Sequence, residues 1–293
     1  LQNRMVEHVS PDLLGSWRQR IAAVGEALDL STLQALEWAA VLGIDVHTGE
    51  WGPSPNLRAR VIEALLEWGL GRQTATGLRF THGIVREALV DHAKQACRLT
   101  SHHLACAAAV IEPARRARHL IGAEKWDECL DPLREAAQME ISQGAPAMAR
   151  ELLALHAEAE RLAQLSASDL QRGQRLALQL SLASRTSLEE VRQLIDFVED
   201  EANKQDWPEV RASVLRIRAH LLRDDGDKAR VLCQRALSLA PPPDMEAPLS
   251  WAIAESLRGA GRWSEVDAWY ERGVDAAQRA GLESYPAMLA NRA

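Results

Sequence analysis

His102, His103 and Cys106 place two imidazoles and a thiol within five positions of one predicted helix, and residues four apart share a helix face. Those are zinc-type donors, but only His102 and Cys106 stand four apart, a closed site takes four ligands, and the neighbouring sequence supplies neither a third nor a fourth on that face. Packing in a core or on a surface is therefore the preferred reading of all three. Asp224-Asp225-Gly226-Asp227 carries the oxygen donors of a calcium loop, yet the bidentate glutamate of an EF-hand falls on Arg235, so the segment reads as a turn and helix cap. Gly69 and Gly71 form a lone Gly-x-Gly that leads into a hairpin, the wrong context for a dinucleotide site. The sequence holds no Gly-x-x-x-x-Gly-Lys-Ser/Thr, Gly-x-Ser-x-Gly or His-Glu-x-x-His. No catalytic residue is expected, and no metal.

The elements that hold these residues are predicted to be helices. The 293 residues are 47% apolar, enough for one large or two ordinary domains and too apolar for a disordered tail. Ala, Leu and Arg dominate, and nine Trp stand against two Tyr and two Phe. A net charge of −7 argues against a direct grip on nucleic acid, which needs clustered Lys and Arg. The longest apolar run, Leu104 to Ile111, falls far short of the roughly 20 residues that span a bilayer, so no membrane partner is expected. Cys97, Cys106, Cys129 and Cys233 lack paired spacing and read as small core residues of a reducing, cytoplasmic compartment. Leu1 is not a methionine and Tyr285 to Ala293 look like the opening of a helix, so the chain reads as a piece of a longer protein.

Texture divides the chain into residues 1–110 and 111–293. The first part carries ten Lys/Arg against eleven Asp/Glu, and the acidity lies in the second. Helices are predicted over Pro11 to Ala27, capped by Ser10, and over Leu33 to Leu42, capped by Ser31 or Thr32 and closed by Gly43. A third runs from Leu57 to Trp68 on a stripe of Leu57, Val61, Leu65 and Trp68. A hairpin follows, Leu70 to Thr74 and Leu78 to Thr81, then helices from His82 to Lys94 and from Leu99 to Ile111. Three helices and a hairpin is the order of a winged helix. Its recognition-helix candidate holds Arg58 and Arg60 beside Glu63 and Glu67, which reads as a solvated face.

The second part repeats. Trp126, Cys129, Leu133 and Ala136 share offsets of 0, 3, 7 and 10 with Leu188, Val191, Ile195 and Val198, with Gly226, Ala229, Cys233 and Ala236, and with Trp263, Val266, Tyr270 and Gly273. The spacings are 62, 38 and 37 residues, the first leaving room for a helix over Ala145 to Leu162. Each helix pair leaves an apolar face that the next pair covers, with Trp126 and Trp263 expected to plug the turns. Pro241 to Pro243 is expected to end a helix and lengthen the link. The pattern resembles degenerate tetratricopeptide (TPR) repeats, longer than the usual 34 and mostly without the first-helix Trp and Gly-Tyr. The fold expected is mainly α: a winged-helix module with one small β-hairpin, then a TPR-like α-α superhelix.

Three segments carry a more specific likeness: Ala35-Leu36-Glu37-Trp38-Ala39-Ala40-Val41-Leu42-Gly43, Leu65-Leu66-Glu67-Trp68-Gly69-Leu70, and Arg79-Phe80-Thr81-His82-Gly83-Ile84-Val85-Arg86-Glu87-Ala88-Leu89. They resemble the winged-helix segment of signal-transduction ATPases with numerous domains (STAND), relatives of plant immune receptors, apoptosome ATPases and bacterial maltose-type activators. In that family the winged helix follows a P-loop ATPase core and leads into a repeat sensor. The resemblance places His82 at the histidine of the Met-His-Asp motif, which contacts the β-phosphate of ADP and holds the resting state. Gly83 stands where the family has an acidic residue. A helix start at His82 adds N–H groups and a favourable dipole near a phosphate.

The resemblance implies a non-catalytic regulatory and sensor module. ATP or ADP belongs to the intact parent, with no cofactor in this chain, and an upstream ATPase domain is its partner in cis. A protein or peptide partner is expected on the repeat surface, and the family also allows a kinase fused upstream. The alternatives are a constitutive TPR scaffold, and the sensor of a transcriptional activator whose DNA-binding domain lies outside the chain.

Overall fold

The computed structural model describes residues 11–222 and 224–282. Among them are fourteen α-helices and one three-stranded antiparallel sheet. The chain forms two compact units that divide between Ala136 and Ala137.

In the first unit, α1 (Pro11–Ala27) precedes α2 (Leu30–Leu42), β1 (Asp45–His47), α3 (Pro55–Glu67), β2 (Gly71–Thr74), β3 (Gly77–Phe80), α4 (Gly83–Gln95), α5 (Leu99–Ala109) and α6 (Pro113–Gly122). The expected cap Ser10 lies outside the described residues. The α2 cap is Asp29, whose side chain accepts from the backbone N–H groups of Ser31 and Thr32. The helix therefore starts ahead of the expected Leu33, at Leu30, an exposed residue that gives no periodic signal. Leu33, Leu36, Ala39, Ala40 and Leu42 bury α2 nearly all round, and it is the central helix of the unit. Ser54 caps α3 with Pro55 in its first turn, and Val61 and Leu65 carry the predicted stripe inward.

The predicted hairpin gains a third strand. β1 pairs with β3 in the order β1-β3-β2, with Val46 opposite Leu78. Three residues with only Val46 buried are too short to show alternation, so this strand left no mark on the sequence. Gly77 is required there, because a side chain would collide with the Val46 carbonyl.

Helix α7 (Leu130–Gln143) crosses the division. The second unit continues with α8 (Pro146–Leu162), α9 (Leu170–Thr186), α10 (Leu188–Lys204), α11 (Pro208–Leu221), α12 (Gly226–Leu237), α13 (Pro243–Gly259) and α14 (Trp263–Arg279). From α8 onward each helix packs on the next, and α9 also packs on α11. Two of the apolar clusters lie along α9–α14. One joins Leu176, Leu180, Val191, Ile195 and Val198 to Trp207, Val210 and Val214. The other joins Leu215, Cys233, Leu249, Ile253, Leu257 and Tyr270. Val210, Val214 and Ile217 point to the first cluster, while Ala212, Leu215 and Ala219 point to the second, so α11 is a wall common to both.

Apart from the half-buried Ala229, the inner template positions are buried, among them Val191, Ile195, Val198, Cys233, Ala236, Val266 and Tyr270. The outer ones are not: Leu188 and Trp263 are 58% and 65% exposed, so Trp263 plugs no turn. Trp126 sits in the turn before α7 and not on a helix. The plug is Trp207, buried at the start of α11, whose indole N–H donates to the Ser168 carbonyl at 3.0 Å. Gly173 makes room for it, since a Cβ there would lie 2.8 Å from the indole ring. The prolines at 241–243 follow the end of α12 at Leu237, and Pro243 opens α13.

Ala254 is wholly buried in the second cluster, whereas Ala229 only borders it. Ala254→Glu should therefore destabilise the unit by about 3 kcal/mol or more, and Ala229→Glu by under about 1 kcal/mol, as read by denaturant unfolding. Equal effects would contradict the stacking described.

Candidate functional site

The strongest concentration of charge is inside the first unit, at Glu37 on α2. Its side chain is wholly buried. Arg98, at the start of α5, donates to both oxygens, through Nε to Oε2 at 2.8 Å and through an Nη to Oε1 at 2.6 Å. His92 of α4 reaches Oε1 through Nδ1 at 2.7 Å, and His102 of α5 reaches Oε2 through Nε2 at 3.0 Å. Four donors fill the acceptor sites of one carboxylate. An ionised carboxylate only accepts, so His92 carries a proton on Nδ1 and His102 on Nε2. Burial alone would raise the Glu37 pKa; the hydrogen bonds from Arg98, His102 and His92 and the Arg98 charge outweigh it and bring it down to about 2. One side chain thus ties α2 to α4 and α5.

The donors His102, His103 and Cys106 are sent to three different places. His102 serves Glu37. His103 Nδ1 faces His119 Nδ1 of α6 at 3.2 Å, the rings tilted with centroids 5.4 Å apart. Cys106 is buried in the core, and burial pushes its thiol up to about 12. Among the described residues no three His, Cys, Asp or Glu side chains gather as a metal-ligand set. Burial, then the charges of His103 and Arg115, lowers His119 to about 4, and burial likewise lowers His103. Cys97, expected in a core, is exposed, while Cys106, Cys129 and Cys233 are buried.

His82 is the residue before α4, in extended backbone, exposed and with no side-chain capping bond. Gly83 follows in open space. The imidazole therefore stands at a helix N-terminus on the surface of the unit. Arg58 of α3 donates to the Thr48 carbonyl at 3.3 Å and Arg60 pairs with Asp29, so both cations of the recognition-helix candidate are held within the chain. Asp225 caps α12 by accepting from the Lys228 N–H, which makes the acidic run at 224–227 the cap expected of it.

The second unit has a groove of about 450 Å³ between α11, α12 and α13. Ala219, Ala229, Cys233 and Ala252 form its apolar wall, and Arg216, His220, Glu255 and Ser256 its polar one. No family model matches this chain, and neither does any curated protein or solved structure among those compared. Site geometry carries the functional reading.

Neither Glu37 nor Arg216 was singled out from sequence. Glu37 left a signal, the one charge inside Leu36 to Leu42, where an amphipathic surface helix would show several. Arg216 left none, lying between other arginines at 211 and 218 whose side chains pair with carboxylates.

Two pH dependences follow. Glu37 has its pKa depressed from 4.5, so its contribution is present above that pH and lost as the pH falls toward 2, by about 3 kcal/mol in all. In urea titrations Glu37→Gln should be less stable at pH 7 by about 3 kcal/mol and lose less than the parent between pH 4.5 and 2.5. Parallel curves would contradict the ion cluster. His119 is depressed from 6.5 to about 4, so the folded state resists its protonation and stability falls as the pH drops through that window. The loss reaches about 2 kcal/mol by pH 5, and His119→Phe should flatten the curve there.

Proposed function

We propose that this chain is the regulatory and sensor portion of a signal-transduction ATPase of the STAND type, in which TPR-like repeats receive a protein partner or effector and a winged-helix module relays its binding to a nucleotide switch. The observation that carries the reading is the stack α9–α14, where α11 is shared by two cores and an open groove runs beside it. Helices that each cover the next leave an extended surface for recognition and little freedom to move singly. The first unit supports the second half of the proposal. Three helices lead to the hairpin, β1 adds to β3 beside it, and His82 begins the next helix with its side chain free of capping duty.

In the intact protein His82 is the ADP contact, placed where helix N–H groups favour a phosphate. The chain supplies no phosphate loop of its own, so hydrolysis belongs to the upstream domain and the module acts by holding one state of it. The internal pairing of Arg58 and Arg60 supports a protein-facing role for the first unit over a DNA-facing one. Repeats and winged helix then work in the cytoplasm.

The test is made on the intact protein. His82→Ala should release ADP roughly tenfold faster, consistent with loss of one charge-assisted hydrogen bond, while the variant keeps the thermal stability of the parent. Unchanged ADP release, or an intact protein without a Gly-Lys-Ser/Thr loop upstream, would sink the reading.

A further inference from the structure

Arg216 stands apart from the other half-buried arginines of the second unit. Arg175 pairs with Glu160, Arg211 with Asp206, Arg218 with Asp196 and Glu199, and Arg230 with Asp227. Arg216 has no hydrogen bond or ion pair among the described residues, although it sits on the inner turn of α11 and lines the groove between α11, α12 and α13. A guanidinium keeps its charge, and this one, half-buried with no carboxylate against it, has its nitrogens open to the groove without a counter-charge. Its surroundings make this worse: burial and then the nearby charge of Arg185 weigh against its cationic form, and the influence of Asp244 does not amount to an ion pair.

The other polar groups of the groove do not answer Arg216. Glu255 accepts from the Tyr270 hydroxyl through one oxygen and from Arg258 through the other, both at 2.5 Å. The Ser256 hydroxyl donates to the Gly226 carbonyl at 2.8 Å. His220 is an exposed residue at the rim. The carboxylate of the groove is thus already matched, and the arginine is not. Around it lie Ala219 of the same helix and Ala229, Cys233 and Ala252, an apolar lining without hydrogen-bonding side chains other than a thiol pushed up to about 11 by burial. At about 450 Å³ the groove is of the size that encloses a small molecule.

We infer that the groove between α11, α12 and α13 is a binding site for a small amphipathic oxyanion, with its carboxylate or phosphate head on Arg216 and its apolar body along Ala219, Ala229 and Ala252. Arg presents a planar fork that matches either head group, and the alanines leave space that a hydrocarbon chain of a few carbons fills. The ligand also touches α11, the wall shared by the two cores. This names the effector class of the proposed sensor and rests on that reading for its consequence, not for the binding itself.

Isothermal titration and amide chemical-shift mapping of the full chain with hexanoate, hexyl phosphate and hexanol test it. Hexanoate or hexyl phosphate should bind with Kd of about 1 mM, the range for so small a probe, and the tighter of the two identifies the head group. Hexanol should bind at least about tenfold more weakly. Arg216→Met should lose tenfold or more for the anions while leaving hexanol unchanged, a loss equivalent to about 1.4 kcal/mol. Ala252→Trp, an exposed position that fills the groove, should abolish all binding without lowering the melting temperature. Equal binding of hexanol and hexanoate, anion affinity unaffected by Arg216→Met, or no binding of either anion would overturn the inference. ADP release from the intact protein is a separate readout, so a failed ATPase reading leaves this result standing.

Discussion

The first unit depends on a single buried carboxylate. Glu37 lies in the most apolar helix of the unit, and a charge there is tolerated only because Arg98, His92 and His102 converge on it from two other helices. Such a cluster contributes less net stability than its short distances suggest, because burying each ion has its own cost. Its effect is on arrangement. A helix as evenly apolar as α2 could rotate about its axis with little change in burial, and the four hydrogen bonds select one rotation. The sheet, the α3 stripe and the His82 corner are then built against a fixed support.

The second unit has a smaller counterpart, the buried Glu160 of α8 met by His156 and by Arg175 of α9, but it ties only α8 to α9 and leaves α10 to α14 to packing. The unit's order otherwise comes from shape: Trp207 over Gly173, and α11 feeding two clusters from opposite faces. Most charged groups there pair along the helix surfaces, as Arg262 does with Glu265 and Arg279 with Asp275, contacts that solvent largely screens. Against that background an arginine without a partner in a groove is conspicuous, and the same reasoning that explains Glu37 by its donors leaves Arg216 waiting for an acceptor.

Helix-scale features were legible in the sequence, and pair-scale features were not. Periodicity located Val191, Ile195 and Val198 on one buried face and ended α1 and α2 at their observed residues, because side-chain burial repeats along the chain. The offsets 3, 7 and 10 held where the template residue faces a neighbour, and failed at offset 0, where Leu188 and Trp263 lie at helix starts beyond the neighbour's reach. β1 is too short to declare itself, and Asp29 outcompeted Ser31 and Thr32 as a cap by standing one residue ahead of the helix. The Glu37 cluster joins residues 55 to 65 positions apart, a relation that no local pattern encodes. His102 was visible as a donor, but its acceptor was not.

The position of α11 between two cores has a consequence for how the array comes apart. A terminal pair such as α13–α14 can detach and expose only the face it covers, while loss of α11 strips both clusters at once. Amide exchange should accordingly be slowest along α11, with protection decaying outward from it in both directions, so the array behaves as one cooperative block with a central keystone and fraying ends.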